Sequence, residues 1–256
     1  MHNQLVLLVA SFVVGIMIGL TSMGGAALMT PFLILVLGMR PTMAVGTDLV
    51  YAAVAKWAGA WVHWRQGTVN VRLSLQLAQG SVPGGVLGVA CMLLLKNQNV
   101  HLDDYVKRAV GITLAIVAVV ILTRVFIDRE IPGLAELGLH RWQHKMSILL
   151  GFVVGFTVGF TSIGSGSLLI PFLVLLYPLT AAETVGTDVF HAAILVTVTA
   201  CLQWGAGNVE WSMVPWLLLG SLPGVVIGSL LAPRLPQRVL KVGLGLTLLA
   251  TGVKLI

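Results

Sequence analysis

Displaced by 140 residues, the chain superimposes on itself without a gap. Gly15, Gly19, Thr21, Ser22, Gly24 and Pro31 fall on Gly155, Gly159, Thr161, Ser162, Gly164 and Pro171. Val45-Gly46-Thr47-Asp48 falls on Val185-Gly186-Thr187-Asp188, and Trp64, Gly67 and Val69 fall on Trp204, Gly207 and Val209. Gly80-Ser81, Pro83-Gly84 and Gly88 fall on Gly220-Ser221, Pro223-Gly224 and Gly228. Between 14–88 and 154–228, 28 of 75 positions are identical, where apolar bias alone gives on the order of a tenth. The matches concentrate on Gly, Pro, Thr and Asp, which bias does not explain. Any fold must therefore accommodate two copies of one unit.

Composition then sets the solvent. Hydrophobic residues make up 57% of the chain and charged residues 9%, against about 25% charged in a soluble domain. Apolar runs such as Leu5–Leu20, Leu73–Leu95, Ala109–Leu122 and Met213–Leu231 approach the ~20 residues that cross a bilayer. The first of them has no basic segment before it and no small-residue cleavage site after it, so it reads as a structural helix and not as a signal peptide. The net charge of +6 fits basic cytoplasmic loops better than nucleic acid. Cys91 and Cys201 lie inside apolar segments and read as small core residues.

Each copy divides into five helical pieces, near 4–20, 25–38, 44–63, 73–95 and 105–127, then 146–160, 165–178, 184–204, 212–232 and 238–256. The expected organisation is a first transmembrane repeat over 1–127, a polar linker over 128–145 and a second repeat over 146–256. An odd number of crossings per copy puts Arg65, Arg72, Arg124, Arg129, Arg141, Lys145, Arg234, Arg238 and Lys241 on one side. The other side carries Arg40, Lys96, Lys107, Arg108 and Lys254. That nine-to-five bias favours inverted repeats with both termini outside, whereas an even number gives seven and seven. The expected fold is thus all-α and polytopic, with short Gly-interrupted helices meeting near the midplane. This is the usual build of a secondary carrier.

The chemistry is expected at those interruptions. Thr21, Ser22, Gly24 and Gly25 in one copy, and Thr161, Ser162, Gly164, Ser165 and Gly166 in the other, precede pieces of about 14 residues, or about 21 Å. Glycines let backbone approach a ligand, Ser and Thr cap the following helix, and its free N–H groups favour an anion. The alternative is that the small residues only let helices pack closely. Thr47 and Thr187 read as N-caps of the third helices and as further substrate contacts. Asp48 and Asp188 then fall in the first turn, either complementing the helix dipole or carrying transport chemistry. Lys56 is placed to meet an anionic substrate or to pair with Asp48, and its repeat mate is Val196. His191, three residues after Asp188, suggests an Asp–His proton relay. Asp48, Asp188 and His191 are therefore the proton-coupling candidates. Pro83-Gly84 and Pro223-Gly224 are expected to kink the fourth helices, and Trp64, Arg65 and Trp204 to anchor at the interface.

The Gly-rich loop before Pro31-Phe32-Leu33, the Val45-Gly46-Thr47 element, the Trp64-x-x-Gly67-x-Val69 loop and the Gly80-Ser81-x-Pro83-Gly84 turn, all recurring in the second copy, resemble the TauE/SafE sulfite exporter family. The resemblance implies a bacterial inner-membrane permease for sulfite, sulfoacetate or related organosulfur anions. The acidic residue after Gly-Thr departs from the commonest family pattern and places negative charge near the anion site. The resulting expectation is a secondary transporter of small sulfur-containing anions. The alternatives are a proton- or cation-coupled carrier using Asp48 and Asp188, or a non-transporting membrane subunit. An enzyme is not expected, since His-Glu-x-x-His, Gly-x-Ser-x-Gly and Walker patterns are missing. No cofactor, metal or nucleic acid is called for. The expected partners are the small anion, the bilayer and, as one possible assembly, a second copy of the chain.

Overall fold

The computed structural model describes residues 2–21, 26–96, 101–126, 140–231 and 237–256. Ten helices lie among them: α1 (His2–Thr21), α2 (Ala26–Leu35), α3 (Pro41–Arg65), α4 (Val71–Lys96), α5 (Leu102–Phe126), α6 (His140–Thr161), α7 (Leu169–Leu176), α8 (Ala181–Gly205), α9 (Val214–Leu231) and α10 (Gln237–Leu255). Each copy thus supplies five helices, the second of them short. Most of the expected linker lies outside the described residues, and α6 begins at His140. Among the described residues, four helical stretches are long and apolar enough to cross a membrane: Val71–Lys96, Leu102–Thr123, His144–Thr161 and Ala181–Gly205. Shorter apolar stretches occupy α1 and α9. Val13, Leu87, Ile112, Ile116, Val119, Leu149, Val153 and Leu219 are exposed, as side chains facing lipid must be.

The packing shows directly that the two copies are inverted. Helices α3 and α8, equivalent in the repeat, lie side by side and antiparallel: Gly46 near the start of α3 meets Asn208 just beyond α8, while Gly186 near the start of α8 meets Thr68 just beyond α3. Equivalent α5 and α10 are also antiparallel, with Gly111 on Gly252 and Gly245 on Leu122. An element antiparallel to its own repeat mate requires a two-fold axis in the membrane plane. The copies also interlock. The most extensive contacts join α4 to α6 and α1 to α9, so the first helix of each copy is held by the fourth helix of the other.

Small residues make those crossings close. Gly80, Gly84 and Gly88 of α4 lie against the carbonyls of Ile148, Phe152 and Phe156 on α6, and Gly151, Gly155 and Gly159 of α6 lie against Leu77, Ser81 and Gly85. The pseudo-symmetric crossing repeats the device, with Gly220 and Gly224 on Leu8 and Phe12, and Gly15 on Ser221. Lipid tails are as apolar as leucine, so close backbone contact is what drives such helices together. For these glycines, packing is the role the structure supports. Residue by residue, α4 runs unbroken through Pro83. At one end of the α3/α8 pair Arg65 stacks over Trp61 at 4.8 Å, and at the other Trp204 meets Trp211 at 5.3 Å. These are aromatic anchors at opposite interfaces.

Candidate functional site

The third helices start seven residues earlier than N-caps at Thr47 and Thr187 would have them, and this corrects the capping reading. Pro41 opens α3, and the missing cap comes from α5: the Asp103 carboxylate accepts from the Thr42 N–H at 3.2 Å and from its hydroxyl at 2.8 Å. Helix α8 has its own capping box, with Thr180 and Glu183 each holding the other's backbone. Thr47 and Thr187 therefore lie in the second turn and cap nothing. Asp48 and Asp188 follow them, seven residues or about 10 Å into their helices. Because α3 and α8 are antiparallel, one carboxylate is displaced toward each side of the membrane.

The Gly-Thr pairs brace the opposite repeat. The Glu210 N–H donates to Thr47 Oγ1 at 2.9 Å, and the Asn70 N–H donates to Thr187 Oγ1 at 3.0 Å. Glu210 and Asn70 are themselves repeat mates. Only glycine at 46 and 186 admits the adjoining Asn208 and Thr68 backbone. Each pair thus clamps the loop that ends the other copy's third helix. One clamp is extended by Lys96 Nζ to Asn208 Oδ1 at 3.1 Å and Asn208 Nδ2 to Gln203 Oε1 at 2.7 Å. The other is extended by Thr68 and His63 at 2.9 Å.

Of the two Gly-rich interruptions, Ser22, Gly24 and Gly25 lie outside the described residues, and Thr21 closes α1. The second interruption is fully buried from Thr161 to Ser167. Ser162, Gly164 and Gly166 all have left-handed φ, of 63°, 133° and 85°. For Ser162 this conformation costs on the order of 1 kcal/mol, and it turns the chain out of α6. None of its hydroxyls caps α7, whose first residue is preceded by Leu168 without a side-chain cap. Thr161 Oγ1 instead donates back to the Thr157 carbonyl at 2.7 Å.

The loop's donors point at the two aspartates. Asp48 Oδ2 accepts from Ser162 Oγ at 2.8 Å and from Thr30 Oγ1 on α2, while its buried Oδ1 has no partner among the described residues. Asp188 Oδ1 accepts from the Gly166 N–H at 3.1 Å. Lys56 Nζ lies 3.9 Å from Asp188 Oδ2, so its partner is Asp188 and not Asp48. Among the described residues His191 makes no hydrogen bond to Asp188: its Nε2 meets Ser81 of α4 at 2.7 Å and its Nδ1 has no partner there. By the repeat this mirrors Tyr51, which lies beside Ser221. Ser165 and Ser167 are buried, and the Ser167 hydroxyl likewise has no partner among the described residues. Thr30 and Ser81 were not singled out from sequence. For Ser81 the signal existed, in its exact repetition as Ser221.

The arrangement is a polar core of two carboxylates, one ammonium, one imidazole and a strained loop, enclosed by ten apolar helices. Among the described residues no cluster of ligating side chains suits a metal ion. The profile of the TauE/SafE sulfite exporter family matches residues 7–255. The chain belongs to the TauE/SafE family. It is accordingly a polytopic transporter of a bacterial membrane and not an enzyme. A protein named "Probable membrane transporter protein YjnA" from Bacillus subtilis is 42% identical over 250 residues, covering 95% of this chain and 96% of that one. YdhB of the same organism, also a probable membrane transporter protein, is 24% identical over 98% of this chain and all of its own. A Xylella fastidiosa protein so described is 26% identical over 87% of this chain and 82% of its own. No solved structure matches.

Proposed function

We propose that this TauE/SafE protein is a secondary carrier of small sulfur oxyanions or sulfonates. Its substrate site lies between the 162–167 loop and its repeat mate at 21–25, with Lys56 as the fixed positive charge. The observation that carries this reading is the convergence of Lys56 Nζ and the Gly166 N–H on one carboxylate, Asp188, in the interior of the helix bundle. Donors that hold a carboxylate in a low-dielectric interior hold a sulfonate or sulfite by the same charge-assisted hydrogen bonds. Ser162 and Ser167 supply hydroxyls beside them, and on this reading Thr47 and Thr187 act through the clamps and not by touching substrate. At the outer end a cavity of about 470 Å³ is lined by Arg40, Lys96, His101, Asp103, Asp104 and Asn208.

The test is flux of thiosulfate, sulfite and methanesulfonate into proteoliposomes of the purified protein. Saturable uptake that falls at least tenfold in Lys56→Met and Ser162→Ala supports the site. Unchanged uptake in both variants sinks it. One observation favours a second reading, a cation- or proton-coupled carrier of another solute: Asp48 Oδ1 is buried without a partner among the described residues. On that reading Asp48→Asn abolishes transport while Lys56→Met leaves it nearly intact.

A further inference from the structure

The donors that an entering anion needs are already occupied by a side chain. Asp188 holds the Gly166 N–H and sits beside Lys56. It is 1% exposed, whereas the lysine side chain is 12% exposed. Two further buried polar atoms belong to residues close to these along the chain and have no partner among the described residues: the hydroxyl of Ser167, the next residue after Gly166, and Nδ1 of His191, one turn beyond Asp188 on the same face of α8. Buried polar atoms are rarely left unpaired. An occupied ammonium and amide, with two unpaired groups close by along the chain, is what a site presents when an internal carboxylate stands in for part of its ligand.

A single ammonium cannot serve two anions at this depth. With Asp188 ionised, an oxyanion at Lys56 places two negative charges within a few ångströms of each other in a medium where like charges repel strongly. The conflict disappears if the carboxyl takes up a proton. It then loses its hold on Lys56 and on the Gly166 N–H, and offers a donor of its own to the incoming oxygen. We infer that thiosulfate-like anions bind this carrier only together with a proton taken up by Asp188, so that anion and proton cross the membrane together. The inference rests on the anion-carrier reading above. The proton comes from the aqueous side to which the site is open, bonds to a carboxylate oxygen of Asp188, and leaves on the far side when the anion departs and the Lys56–Asp188 pair re-forms.

Other groups facing Asp188 do not substitute for it. On its own helix, His191 is engaged with Ser81. From α3 there is Lys56, from the α6–α7 loop Gly166 and Ser167, and from α4 Ser74, whose hydroxyl donates to the Thr187 carbonyl at 3.1 Å. Asp48 lies at the other end of the loop, on Ser162 and Thr30, and among the described residues no cation is paired with it.

The experiment is titration calorimetry of the purified full chain with sodium thiosulfate, which stays doubly charged across the range used. It is run near pH 6 and near pH 8 in buffers of different protonation enthalpy. The wild type is expected to take up about one proton per thiosulfate, and its affinity to fall toward about tenfold per pH unit once the free-state carboxyl is ionised. Asp188→Asn is expected to take up none, to bind equally at both pH values, and to bind more tightly than wild type near pH 8. His191→Asn keeps the uptake. Thiosulfate binding without proton uptake by wild type overturns the inference while leaving the anion reading standing, and so does undiminished uptake in Asp188→Asn. Loss of uptake in His191→Asn overturns it in favour of the imidazole. Should Asp188→Asn fail to fold, the wild-type proton count decides alone. A folded wild type that binds neither thiosulfate nor methanesulfonate at either pH overturns the anion reading and the inference with it.

Discussion

Replacing Lys56 by methionine keeps the length of the side chain and removes its charge, so it isolates the pair with Asp188. The separation is 3.9 Å. At an effective dielectric of about 20, two unit charges at that distance attract by about 4 kcal/mol, part of which is offset by the desolvation of both groups. Removing the lysine leaves the carboxylate buried with one amide donor, and breaking such a pair from one side costs about 3–5 kcal/mol. Because the lysine is slightly exposed, the lower end applies, and Lys56→Met is expected to destabilise by about 3 kcal/mol. Asp188→Asn removes the other charge and leaves the ammonium without a counter-ion, at a similar cost. The double variant has no unpaired charge, so it is expected to recover to within about 1 kcal/mol of wild type.

The assay is unfolding of the four proteins in one detergent, followed by intrinsic fluorescence of the tryptophans. The quantity read is the coupling term of the double-mutant cycle. A coupling of about 2 kcal/mol or more supports the pair as drawn. If the two single losses simply add, Lys56 and Asp188 do not share an interaction. The site geometry, including the donors assigned to the substrate, would then be wrong.

Three further outcomes follow from the packing. Gly155→Ala builds a methyl into the Ser81 carbonyl across the α4/α6 crossing, where something must shift, and should cost about 1–3 kcal/mol. Gly243→Ala in α10 meets nothing and should be neutral or stabilising by up to about 1 kcal/mol; equal thermal shifts for the two would refute close backbone packing. Thr187→Val should speed hydrogen exchange at Asn70, and Thr47→Val at Glu210, by about fivefold each for the loss of ~1 kcal/mol, with Thr→Ser silent. Exchange unchanged by the valines would dissolve the clamps. A cysteine at Gln66 should label from the cytoplasm and one at Gly207 from outside in intact cells, and labelling from the same side would refute inversion.

Much of the architecture was legible because a duplication exposes its own punctuation. The expected pieces lie within four residues of the helices at each end, except that α6 begins at His140 and not near 146, and the odd crossing number follows from the loop lysines and arginines. The interlocking was harder to see. Glycines every four residues at 80, 84 and 88 and at 151, 155 and 159 are a packing signal, but nothing local says that α4 meets α6 and not its own neighbour. The caps were misread for the same reason. The α3 terminus is capped by Asp103, sixty-one positions away, so Thr47 looked like the nearest candidate. A pairing of Lys56 with Asp48, one of the two roles its sequence position suggests, draws only on their sharing α3. The lysine's actual partner follows only from the antiparallel register of α3 on α8, which turns residues late in one helix toward residues early in the other.

That register also explains why an inverted repeat does not make a symmetric carrier. The backbone offers each half the same parts: a Gly-Thr clamp, an aspartate about 10 Å in, and a residue one turn further that meets the Ser of the Gly-Ser-x-Pro-Gly turn. The side chains then differ where they touch charge. Lys56 has Val196 as its mate, Thr30 has Ile170, and Tyr51 has His191. The aspartate nearer the inner end therefore has an ammonium beside it, while the one nearer the outer end has, among the described residues, only hydroxyls. In a two-state cycle built by exchanging the conformations of the halves, equal side chains would make the two states nearly equal in energy. Here the charge sits on one half of the pseudo-symmetric pair, so exchanging the conformations of the halves does not return an equivalent arrangement of side chains. The fold supplies the pseudo-symmetry, and a handful of departures from the repeat, foremost Lys56, make the two halves chemically unequal.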